Sequence, residues 1–259
     1  MIDLMPIMRK KIDSQYKGFP LRSHGKSIEE FISEKPNLFT SDFQFPIMVL
    51  RESALAHNIG RMAAYCKGLG VDLAPHVKTP MSPQIAKRQL DAGAWAITVA
   101  SYSQASVFLD FGFNRIIIGN EVLEPTSIQD IAKRNFSGKA EILFYVDSIA
   151  ALNIVKAAIK DQTDAKLNLL IEIGASDGRA GLRDISLLPE ILEAIKSEPK
   201  ISVRGVSGFE GAVPGGDRDA GVAQIRSFLE KIVSAAEVVA PFVNGKVIIS
   251  AGEIGRAHV

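Results

Sequence analysis

The chain has 259 residues, 47% hydrophobic and 23% charged, with 30 Lys and Arg against 29 Asp and Glu and a formal charge of +1. That balance argues against a nucleic-acid partner, which would demand a basic excess, and the apolar content excludes a disordered chain. No apolar run nears the roughly 20 residues that span a bilayer. The N-terminus lacks a signal-peptide core, and the single Cys66 has no partner for a disulfide or a metal. A cytoplasmic globular protein without a membrane partner is expected.

Residues 1–44 read as a lead-in segment. Arg9, Lys10, Lys11 and Lys17 precede Gly18-Phe19-Pro20, and Ser27, three residues ahead of Glu30, predicts a short capped helix over Ser27–Ile32. From residue 46 two textures alternate. Strands are predicted at Pro46–Leu50, Val71–Val77, Trp95–Ala100, Arg115–Gly119, Glu141–Val146, Asn168–Ile173, Val203–Gly208 and Val247–Ser250. Between them, apolar residues recur at helical steps. Ile59, Met62, Ala63 and Cys66 share a face, as do Ile85 with Leu90, and Ile128 with Ile131 and Ala132. Leu152 with Val155 and Ile159, Ile191 with Leu192 and Ile195, and Val222 to Ile232 continue the pattern. Gly70, Gly93, Gly112 and Pro199 supply stop signals.

Alternation of this kind predicts parallel strands joined by crossover helices. Eight strand candidates fit an α/β fold, one (β/α)8 TIM barrel over residues 45–252. The alternative is an open doubly wound sheet, but Arg51–Ser53 lacks the glycine-rich first turn that such a fold uses.

In a barrel the active site lies at the C-terminal ends of the strands. The second strand runs into Leu73-Ala74-Pro75-His76-Val77-Lys78-Thr79, where a period of two puts His76 and Lys78 on one face and Leu73, Pro75 and Val77 on the other. A lysine turned to the barrel mouth is costly unless its charge is used, and a desolvated one is a nucleophile suited to Schiff-base chemistry. A plain surface lysine after a strand remains the alternative.

Pro75-His76-Val77-Lys78-Thr79 resembles the Pro-His-x-Lys-Thr signature of the D-threonine aldolase and D-serine dehydratase group of fold-type III pyridoxal-phosphate enzymes, which also include alanine racemase. Further pieces fall in the family's order. Gln89–Ala94 and Thr98-Val99-Ala100, then Val146-Asp147-Ser148, Glu172-Ile173-Gly174 with Gly178-Arg179-Ala180-Gly181, and Gly208-Phe209-Glu210-Gly211 each sit at a predicted strand end. The resemblance implies an alanine racemase-like barrel and a Lys78 Schiff base with pyridoxal 5'-phosphate. It also implies that Lys78 handles the substrate Cα proton, with His76 as cofactor contact or relay. A structural histidine is the alternative for His76. Arg179 is implied to bond the cofactor's phenolic oxygen, the alternative being a solvated loop arginine.

The phosphate is expected among Gly208, Gly211, Ser250, Ala251 and Gly252, where backbone N–H groups are open. Two departures stand out: Phe209 replaces a tyrosine frequent in relatives, and the eighth-strand motif breaks off after Gly252. Asn120, Glu210 and Tyr102 are further polar groups near strand ends. Glu253-Ile254-Gly255-Arg256-Ala257-His258-Val259 reads as one frame of a sequencing-adapter oligonucleotide, GAG ATC GGA AGA GCA CAC GTC, followed in the adapter by TGA. Residues 253–259 are therefore expected to be a non-native tail. The natural protein is expected to continue into the C-terminal β domain missing here, with any divalent-metal site on that domain and a homodimer as the full-length state.

The expected activity is a pyridoxal-phosphate-dependent lyase on a D-amino acid substrate, a dehydratase or deaminase, or an aldolase. A non-catalytic pyridoxal-phosphate-binding barrel and an amino-acid racemase are the alternatives.

Overall fold

The computed structural model describes residues 1–176, 178–212 and 218–252. The expected tail, 253–259, lies outside them. The chain forms two compact units, one of Met1–Leu73 with Ser82–Ala94, the other of Ala74–Met81 with the chain from Trp95 onward.

The first unit holds helices α1 (Met5–Met8), α2 (Ile28–Ser33), α3 (Glu52–Leu69) and α4 (Pro83–Asp91). The Ser27–Glu30 capping box forms as expected, each side chain satisfying the other's backbone N–H at the start of α2. Phe31 of α2 is buried against Phe19 and Phe43, at centroid distances of 5.6 and 6.0 Å. On α3 the half-buried positions are Ile59, Met62, Ala63 and Cys66, the predicted stripe, together with Leu55, one turn earlier. Arg88 of α4 grips Glu52 of α3 through both guanidinium nitrogens, at 2.8 and 2.6 Å.

The predicted strand Pro46–Leu50 is not formed. Pro46 has no N–H to donate, and the backbone of Ile47–Leu50 meets no partner strand among the described residues. Most of its side chains stay in solvent, Met48 at 96% exposure, while Ile47 is half-buried.

The second unit is a parallel sheet with helices in alternation. In chain order it runs β1 (Ile97–Val99), α5 (Tyr102–Asp110), β2 (Arg115–Glu121), α6 (Pro125–Phe136), β3 (Glu141–Val146) and α7 (Ile149–Ala158). Then follow β4 (Leu167–Ile173), α8 (Leu188–Lys196), β5 (Ile201–Gly208), α9 (Arg218–Val239) and β6 (Ile248–Ala251). All neighbours pair in parallel, and spatial order follows chain order from β1 to β6. A doubly wound sheet would reverse its order at a switch point. The unit is instead a partial (β/α) barrel.

The second predicted strand, Val71–Val77, shrinks to a single bridge between His76 and Thr98. Pro75 accepts from the Thr98 N–H and Val77 donates to the Thr98 carbonyl, both at 2.8 Å, but Pro75 itself has no N–H with which to extend a ladder.

Both faces of the sheet are covered, so β4 is buried along its whole length. One face packs under the apolar stripes of α6, α7 and α8, whose predicted residues Ile128, Ile131, Leu152, Val155, Ile191 and Leu192 are all within 1% of full burial. The other face gathers Ile117, Leu143, Tyr145 and Leu170 with Ala74, Trp95 and Ile248. Each fully buried aliphatic side chain here contributes roughly 1.5–3 kcal/mol relative to exposure.

Candidate active site

Because the strands are parallel, their C-terminal ends share one edge, and the predicted site residues all belong to the second unit. The alternation expected around Lys78 is present: Pro75 and Val77 are buried, His76 is exposed and Lys78 is half-buried. Gly119 on β2 makes room for the imidazole, since a Cβ there would lie 3.3 Å from His76 Cε1. Gln104 straps the turn that carries Lys78. Its amide donates to the Lys78 carbonyl at 3.4 Å, and its oxygen accepts from the Ala100 N–H at 2.9 Å. The Ser101 hydroxyl caps α5 at the same place, so the turn and the helix N-terminus are fixed together.

Three carboxylates meet at the ends of β2, β3 and β4. Burial pushes Glu121 up to about 7, aided by a hydrogen bond with Asp147 and by the charges of Asp147 and Glu172. Glu172 is also raised, by burial and by Asp147, with Arg179 and Arg183 opposing. Its side chain is almost wholly buried, and its Oε2 has no hydrogen-bond partner among the described residues. Below them lies Tyr145, whose pKa burial raises and whose hydroxyl interacts with Ser207 and Ser250. Those two serines are register partners on β5 and β6.

Arg179 sits in the loop after β4, which is fastened at several points. Ile173 bridges to Leu182, the Gly174 N–H donates to the Leu182 carbonyl at 3.0 Å, and the Gly181 N–H donates to Asp147 Oδ2 at 3.0 Å. Arg183 donates to the carbonyls of Gly181 and Gly178. From α9, Lys231 donates to the carbonyls of Gly174 at 2.8 Å and Arg183 at 2.5 Å, its pKa lowered by burial and by Arg183. The Arg179 side chain itself is exposed and lines a small cleft with Glu172, Gly174, Ala175 and Phe209.

The expected phosphate residues divide. Gly208 ends β5, but a Cβ there would come within 2.4 Å of Ile232 Cδ1 on α9, so close packing already requires glycine. A Cβ on Gly211 would meet the Phe209 ring at 2.5 Å. Ser250 turns its hydroxyl to Tyr145, while Ala251 and Gly252 are exposed at the end of β6. Tyr102 commits its hydroxyl to Asp130 on α6, and its pKa is raised to about 12, chiefly by burial. Asn120 bonds its neighbour, accepting from the Glu121 N–H at 3.0 Å.

Glu121 escaped the sequence reading. The register shift between Ile118 and Glu121 brings it level with Tyr145 of β3, and simple alternation does not forecast such a shift. Asp147 and Glu172 stood in recognised motifs without an assigned role. Their signal was present: acidic residues at the ends of successive apolar strands.

Among the described residues no helix is long and apolar enough to cross a membrane, and no group of three His, Cys, Asp or Glu side chains is set to hold a metal ion.

Comparison with known proteins gives the family. The model of the alanine racemase N-terminal domain matches residues 50–244. A 3-hydroxy-D-aspartate aldolase of Paracoccus denitrificans (strain Pd 1222) is 28% identical over 220 residues, 81% of this chain and 56% of the relative. A D-threonine aldolase of an Arthrobacter species is 30% identical over 168 residues, 65% of this chain and 44% of the relative. The crystal structure of D-threonine aldolase from Filomicrobium marinum superposes with a TM-score of 0.65 at 23% identity, covering 77% of this chain and 54% of that one. The chain spans about half the length of the curated relatives it matches. With three-quarters of its length matched by the family model and the same fold in its structural neighbours, the chain belongs to the alanine racemase N-terminal domain family.

Proposed function

We propose that this chain is the cofactor-binding barrel of a pyridoxal-phosphate-dependent lyase that acts on a β-hydroxy D-amino acid. The observation that carries the reading is the half-buried Lys78, in the turn two residues after His76, at the strand edge that also bears Arg179 and the almost wholly buried, unpartnered Glu172 oxygen. These groups fit the cofactor. Lys78 supplies the amine, Arg179 a planar cationic donor, Phe209 an apolar wall, and the backbone after β5 and β6 supplies N–H groups to a phosphate. Gly208, Gly211, Ala251 and Gly252 serve through backbone N–H groups, and Ser250 through its amide, since its hydroxyl is engaged by Tyr145.

When bound, the cofactor acts as an electron sink for charge developing at the substrate Cα. The chain's own residues move protons. Lys78, as a free amine, would take the proton from the substrate Cα or return one to it. His76, two residues before Lys78, would relay it or orient the substrate. Glu121, raised to about 7, keeps its proton up to near neutral pH and gives the mouth a second donor, while Glu172 balances Arg179. The geometry serves loss of water with release of ammonia, and equally cleavage of the Cα–Cβ bond.

D-serine, D-threonine and 3-hydroxy-D-aspartate supplied to the protein expressed from its full source locus should yield ammonia or glycine, with loss of both in Lys78→Ala. Cofactor binding without ammonia, glycine or inverted amino acid would overturn the lyase reading in favour of a binding protein. Inversion alone would make it a racemase.

A further inference from the structure

A second polar centre lies at the opposite end of the same strands. Arg115 opens β2, Glu141 opens β3, Asn168 is near the start of β4, and Arg204 is the residue skipped where the β4–β5 register shifts. With Asn114, Lys139 and Lys166 they line a cavity of about 320 Å³. That is the size of a small-ligand site, which runs from about 300 to 1,000 Å³.

Its charge is one-sided. Four cationic side chains surround a single carboxylate. Glu141 accepts from Arg115 Nε at 2.8 Å and from Arg204 Nη1 at 2.9 Å. Partial burial works against its ionisation, but those two hydrogen bonds outweigh it and hold the carboxyl below its usual range. Glu141 therefore stays ionised and orients the two guanidinium groups without neutralising the cavity. The Arg115 guanidinium is further held over the Trp95 ring, 4.9 Å from its centroid. Arg115 also donates from Nη1 to the Trp95 carbonyl at 3.4 Å, and Arg204 Nη1 also reaches Asn168 Oδ1 at 3.5 Å. That leaves Arg115 Nη2 and Arg204 Nε and Nη2 without an acceptor among the described residues, and the exposed Lys139 and Lys166 have none there either. Asn168 is buried and adds an amide to the wall.

Fixed guanidinium groups beneath two mobile ammonium groups match a ligand with more than one anionic group. Arginine offers planar donor pairs to phosphate or carboxylate, and lysine supplies adjustable point charges at the rim. The small volume of this open cavity and the balanced charge of the chain, +1 overall, favour a small molecule over a nucleic acid. We propose that this cavity binds a small polyanion, a molecule carrying two or more phosphate or carboxylate groups, at a site separate from the Lys78 centre.

Calorimetric titration with pyrophosphate and with citrate tests this. The chain should bind at least one of them, and Lys139→Gln with Lys166→Gln should weaken binding about tenfold or more, given charge-assisted bonds of this kind. Both lysines are exposed, so the thermal midpoint without anion should not move. Asn114→Asp, which adds a negative charge at the exposed rim, should weaken binding in the same way. Arg179→Ala, at the other end of the strands, should leave it unchanged. No binding of either probe, undiminished binding in both cavity variants, or loss of binding in Arg179→Ala alone would overturn the proposal.

Discussion

Asp147, just past the end of β3, accepts the Gly181 N–H at 3.0 Å and so ties one strand end to the loop that carries Arg179. The same carboxylate also shares a hydrogen bond with Glu121, the last residue of β2. One side chain thereby couples the two ends of the acidic cluster to the position of the cationic group opposite. Asp147→Ala should weaken binding of pyridoxal phosphate about tenfold, the worth of one hydrogen bond to a charged group. Asp147→Asn keeps an acceptor and should recover most of that loss. Absorbance titration of the three proteins checks the order.

The raised Glu121 makes a pH prediction. Its folded-state pKa of about 7 lies above the unfolded value of 4.5, so the folded protein holds a proton that the unfolded chain releases first. Its unfavourable effect is absent below about pH 4.5, grows as pH rises to about 7 and is constant beyond. The raised Glu172 acts in the same direction. Glu121→Gln should therefore be more stable than the parent at pH 8, by roughly 1 kcal/mol once solvent screening of this half-exposed group is allowed for, and no more stable at pH 4.5. Urea unfolding at the two pH values measures the difference.

Gly208 separates packing from ligand binding. Gly208→Ala would press a Cβ to 2.4 Å from Ile232 Cδ1, and overpacking of this kind costs about 1–3 kcal/mol. Ile232→Val removes that methyl and should restore part of the stability in the double variant, the remaining contacts being Ile232 Cγ1 at 3.0 Å and Phe228 Cζ at 3.2 Å. Should stability return without cofactor affinity, the backbone at Gly208 is needed by the phosphate as well as by the helix.

Tyr145 is the buried floor of the site. Tyr145→Phe leaves Ser207 and Ser250 without their shared partner and should cost about 1–3 kcal/mol, the range for a buried polar group left unsatisfied. Chemical denaturation measures it directly.

Much of this was legible in the residues. Strands β1 to β6 fall where β-branched and apolar runs alternate with helical stripes, because burial on both faces imposes long apolar runs such as Leu167–Ile173. The placement of Pro75 and Val77 against His76 and Lys78 followed from a period of two. Pro46–Leu50 and Val71–Val77 were misjudged because composition shows strand preference but cannot show whether a neighbouring strand is there to accept the hydrogen bonds. Glu121 and the cavity around Glu141 were invisible for a related reason. Both depend on register shifts, at Ile118/Glu121 and at Leu169/Leu170, that move a side chain into a new row. The commitment of the Ser250 hydroxyl to Tyr145 likewise needed the β5–β6 register.

The central claim is that Lys78 is the amine that binds pyridoxal phosphate covalently. Incubation with the cofactor, borohydride reduction and peptide mass spectrometry test it most directly. A stoichiometric mass increment is expected on the peptide containing Lys78, and none in Lys78→Ala. An unlabelled Lys78, or equal labelling of the Lys78→Ala protein at another lysine, would contradict it.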